Sequence, residues 1–74
     1  MFSNAMLALA LLTDRRELLL AERRAEAAGL RLAFADKERL ESIDNRLGGL
    51  KKHYPDDYRN ALLVIDPDAE ELNQ

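Results

Sequence analysis

The chain has 74 residues, no cysteine, one histidine and a formal net charge of −3, which excludes disulfides and argues against a structural zinc site. A single core of this size contributes no more than about 3–5 kcal/mol, so a second subunit is the stabilising device left open. Residues 1–54 carry ten Lys/Arg against eight Asp/Glu and residues 55–74 carry one against six, so a basic surface is available only on the first two-thirds.

In chain order, Ser3-Asn4-Ala5 ahead of Met6 resembles an expression-tag remnant, so residues 1–5 receive no functional weight and a single domain is expected over 6–74. The apolar stretch from Ala5 to Leu12 lacks the basic segment that precedes a secretory signal's core. It also falls short of the ~20 residues that span a bilayer. The expectation is a soluble cytoplasmic chain with no membrane partner.

Strong helix formers dominate from Leu7 to Tyr54, and no proline interrupts them. A first helix is expected from about residue 5 to Ala28. Gly29 would take the left-handed position after it, with Leu30 folding back in apolar contact. Asp14 and Glu17 have capping-box spacing, so a start at Thr13 is the alternative. Residues 30–35 alternate, which suits an apolar connector or a continuation of the helix. A short strand would need residues 61–65 as its only evident partner.

Asp36 is the expected cap of a second helix at 37–53. Leu40, Ile43, Leu47, Leu50 and Tyr54 follow one another at spacings of 3, 4, 3 and 4, a short coiled-coil seam suited to a helical hairpin. Gly48 and Gly49 lie off this seam and cost roughly 1 kcal/mol each in a helix interior. They would mark a bend or a close backbone approach. Pro55 fits the first position of a short third helix that places Tyr58, Leu62 and Ile65 on one face. Asp66 would cap a last acidic turn.

The triplet Leu18-Leu19-Leu20 points in three directions at ~100° per residue. Leu18 aligns with Leu7, Leu11, Ala21, Ala25, Ala28 and Leu32. Leu19 points with Leu12 and Leu30, and Leu20 with Leu9, Ala27 and Phe34. This pattern predicts a second buried face on the first helix, beyond the one that packs within the subunit.

No group of residues has catalytic spacing. His53 with Asp56 and Asp57 reads as a helix end followed by a helix start, and the Gly48-Gly49 segment lacks phosphate-loop spacing. No catalytic residue, metal or cofactor is expected. Arg15, Arg16, Arg23, Arg24 and Arg31 recur at spacings of about eight, with Glu17, Glu22 and Glu26 between them. They form either a row that grips anions or a solvated face with local pairs such as Arg23–Glu26. Lys51 and Lys52 read first as charges that complement a helix end. Tyr54 and Tyr58 suit either an interface or a small core.

The sequence therefore predicts an all-α chain: a helical hairpin with a short third helix and an acidic C-terminal turn, assembled as a dimeric bundle. The expected function is non-catalytic binding of a larger protein through Leu19, Leu20, Arg23, Arg24, Tyr54 and Tyr58. A small helical regulator or inhibitor of the phage or plasmid accessory type has this size and composition. The alternatives are a nucleic-acid binder using the arginine-rich face of the first helix, and a structural bundle subunit.

Overall fold

The computed structural model describes residues 3–68. Over that range the protein is all helical, with α1 at Asn4–Ala27, α2 at Phe34–His53 and α3 at Pro55–Ile65. No strand occurs among the described residues: residues 30–33 are irregular, and 61–65 belong to α3.

α1 begins at Ser3, whose hydroxyl accepts a hydrogen bond from the Met6 amide at 3.1 Å, satisfying one of the orphan donors of the first turn. Thr13 does not start the helix. Its hydroxyl donates to the Leu9 carbonyl at 2.8 Å, as a threonine inside a helix does. α1 ends in a Schellman motif. The Gly29 amide donates to the Glu26 carbonyl at 3.0 Å and the Leu30 amide to the Ala25 carbonyl at 2.7 Å, with Gly29 at φ 75°. The expected apolar fold-back of Leu30 does not occur, since that side chain is 66% exposed.

α2 starts earlier than the sequence suggests. Ala33 takes the cap position without a side-chain bond, and its carbonyl accepts from the Asp36 and Lys37 amides, both at 3.0 Å. Asp36 thus lies inside the first turn, where its charge favours the helix dipole instead of capping an amide. Gly48 and Gly49 are helical. A Cβ built on either meets nothing within 4 Å, so neither marks a close approach within the chain.

Tyr54 ends α2 and caps α3, with Pro55 in the first turn of α3. At φ −135°, ψ 60° it leaves the helical register, so it is exposed and does not complete the α2 seam. Asp66 closes α3, and its carboxylate accepts from the Asp68 amide at 3.2 Å. The remainder of the expected acidic turn, 69–72, lies outside the described residues.

The core gathers Ala8, Leu11 and Leu12 of α1, Ile43, Leu47 and Leu50 of α2, and Ala61 of α3. Leu7, Leu9, Leu18, Tyr58, Leu62 and Ile65 pack around it, half-buried. α1 packs more extensively against α3 than against α2. Two exposed ion pairs tie α1 to α2: Arg15 Nε to Asp44 Oδ1 at 2.6 Å and Arg39 to Asp14 at 3.2 Å. Exposed pairs of this kind contribute at most about 1 kcal/mol each, so the apolar cluster carries the fold.

The glycines give opposite expectations. Gly29→Ala should lower stability by roughly 1 kcal/mol, because an L side chain is strained at its positive φ. Gly48→Ala should raise stability by about 0.8–1 kcal/mol through helix propensity, with space free for the methyl group. Urea unfolding followed by circular dichroism checks both. A loss of stability on Gly48→Ala would mean that the space beside it is occupied in solution.

Candidate functional site

α3 has 11 residues and α1 has 24, so at 1.5 Å per residue they run for about 16 and 36 Å. Ala8, Leu12 and Leu19 lie within ~40° of one another around α1. The lower part of this strip is covered: Ala8 and Leu12 are buried in the cluster that includes Ala61 of α3. The strip continues toward Leu19 after α3 has ended at Ile65. Where α3 runs out, a groove of ≈ 490 Å³ opens.

Leu12, Leu19 and Leu20 from α1 and Leu62 and Ile65 from α3 supply the apolar lining. Arg15, Arg16 and Arg23 stand along the α1 side, and Asp66 closes the α3 end. Leu19 is half-buried and Leu20 is 39% exposed. The arginines differ in how they are compensated. Arg15 is held by Asp44. Among the described residues Arg16 and Arg23 make no ion pair or hydrogen bond, and the local Arg23–Glu26 pair suggested by the sequence does not form. Arg16 and Arg23 are seven residues apart, two helical turns, so both overlook the same strip.

Of the residues singled out from the sequence, Leu19, Leu20 and Arg23 line this groove, while Arg24, Tyr54 and Tyr58 do not. Arg24 is exposed in the last turn of α1. Tyr54 is 48% exposed at the α2–α3 junction. Tyr58 packs against the core, with Lys51 Nζ 5.9 Å from its ring centroid. Leu62, Ile65 and Asp66 were not singled out as site residues. The face shared by Leu62 and Ile65 was a usable signal, but it did not reveal which part of α1 they meet.

Among the described residues, the polar side chains that line the groove are three guanidinium groups and one carboxylate. His53 is exposed at the end of α2, and no group of three or more His, Cys, Asp or Glu side chains able to hold a metal exists among the described residues. Nor is any helix among them long and apolar enough to cross a membrane. Comparison with protein families, with characterised proteins and with solved structures gives no match.

Proposed function

We propose that this chain is a non-catalytic protein-binding module whose α1–α3 groove receives a segment of a larger protein, and that it acts as a regulator or inhibitor by sequestering that protein. The observation that carries this reading is the groove itself, an apolar strip of α1 at the end of α3 flanked by two arginines, Arg16 and Arg23, that have no ion pair among the described residues. Concave apolar sites with a few placed polar groups are where binding concentrates. Interfaces of this kind depend on a few buried anchors.

Leu20→Glu places a charge in the groove at a position that is 39% exposed, so the fold should survive it. With the wild-type and Leu20→Glu proteins as parallel baits in extract from the native host, a protein held by the first and released by the second is the expected result. Equal retention by both baits would remove the groove from the function.

Self-association is the second reading, favoured by a small core and by Leu30 and Phe34, which remain 66% and 74% exposed around the α1–α2 connection. Light scattering should then give twice the 8.4 kDa chain mass, falling toward the single-chain mass for Phe34→Glu. A wild-type mass of one chain would exclude it.

A further inference from the structure

We infer that the occupant of the groove is an amphipathic helix of a partner protein carrying acidic residues beside its apolar stripe. This rests on the protein-binding reading above and adds the chemical class of the ligand. The shape argument comes from α3. The open strip on α1 continues the line of Ala8 and Leu12, which are buried in the cluster shared with α3, and a helix packed beside it would set its axis about 8–10 Å from that of α1. The open part of the strip, from Arg16 to Arg23, runs for about 10 Å, roughly two helical turns. An occupant lying along this strip presents apolar residues at i, i+3 or i+4, and i+7 to Leu19, Leu20 and Ile65.

The charge argument comes from the arginines. Arg15 is already compensated by Asp44, whereas Arg16 and Arg23 have no ion pair among the described residues. Asp66, the carboxylate of the lining, stands on the α3 side. The α1 side is therefore positive, and carboxylates flanking the occupant's apolar stripe complement it with fork-shaped hydrogen bonds. A second copy seated groove to groove would bring only one groove carboxylate, Asp66, to each pair of arginines without an ion pair, Arg16 and Arg23, leaving an excess of positive charge between the copies. A nucleic-acid backbone would satisfy the two guanidinium groups but leave the leucine and isoleucine lining in water. Phosphate-driven binding also relies on many more contacts than two.

The test is a selection. A displayed library of ~14-residue helical segments, with leucines fixed at the apolar spacing and the flanking positions randomised, is sorted against the whole protein. Enriched segments are expected to carry Asp or Glu beside the leucines. Synthetic copies should bind the Arg16→Glu/Arg23→Glu variant at least ~10-fold more weakly. The Arg24→Glu variant, altered in charge outside the groove, should bind them unchanged. Circular dichroism of each variant establishes that the helices persist. Segments enriched without acidic excess, yet lost on Leu20→Glu, would overturn the charge rule and leave the protein-binding reading standing. Segments indifferent to both Leu20→Glu and the double arginine variant would overturn both. Failure to enrich any segment would overturn the helical occupant. Submicromolar, salt-sensitive binding of duplex DNA that is lost in the same double variant would put a nucleic acid in its place.

Discussion

Leu47→Ala is expected to lower the unfolding free energy by about 2–5 kcal/mol, the range for truncating a leucine in a core that cannot collapse around the vacancy. Leu47 is 5% exposed and shares the central cluster with Leu11, Leu12, Ile43 and Leu50. No polar or charged residue is buried among the described residues, so apolar contact is the main resource of the core. Against a total of about 3–5 kcal/mol for a domain of this size, the loss removes a large part of the stability at 25 °C. Urea titration followed by helical circular dichroism measures the loss. Leu47→Met, which nearly conserves volume, should cost less than ~1.5 kcal/mol and keeps the comparison readable if the alanine variant does not fold. A loss under ~1 kcal/mol for Leu47→Ala would move the core away from the α2 seam.

That seam was legible because one helix facing one core writes a single stripe. Ile43, Leu47 and Leu50 are buried as the spacing of 3, 4, 3 implies. The pattern fails at its ends for local reasons. Leu40 is half-buried, and Tyr54 leaves the helix before Pro55 and turns outward. The first helix was harder to read because two neighbours cover it. Its periodicity points to a stripe through Leu7, Leu11 and Leu18, whereas the most buried positions are Ala8, Leu11 and Leu12. The buried arc is rotated from the Leu11 direction toward Leu12, because α3 packs there as well as α2. Periodicity gives the direction of apolar residues around one helix. It does not say how many helices share that arc.

The candidate site divides in the same way. The leucine triplet signalled more than one apolar face; in the structure Leu19, half-buried, and Leu20, exposed, line the groove beside α3. Arg23 was visible as part of an arginine row. That Arg15 is compensated while Arg16 is not depends on Asp44, 29 positions away, and no local pattern encodes that distance. The contribution of Leu62, Ile65 and Asp66 depends on where α3 stops along α1. The tyrosines looked alike in sequence, yet Tyr58 joins the core and Tyr54 does not, because the proline between them redirects the chain.

The second large effect is expected at Ala8, which has no exposed surface and lies in the cluster with Leu47 and Ala61. Ala8→Leu should destabilise by about 1–3 kcal/mol, since added carbon atoms in a filled space force side chains off their rotamers or helices apart. Helix propensity does not explain such a loss, because alanine and leucine are both strong helix formers. Ala10, exposed on the same helix, supplies the control: Ala10→Leu should change stability by no more than about 0.5 kcal/mol. The Ala8 change also reaches the groove, whose width is set by the seating of α3 on α1. Amide shifts of Leu19, Leu62 and Ile65 should therefore move in Ala8→Leu and stay in place in Ala10→Leu. Thermal unfolding and amide spectra of the two variants decide the matter together. Equal stability for both would mean that α1 and α3 do not pack closely at Ala8, and the groove would lose a fixed wall.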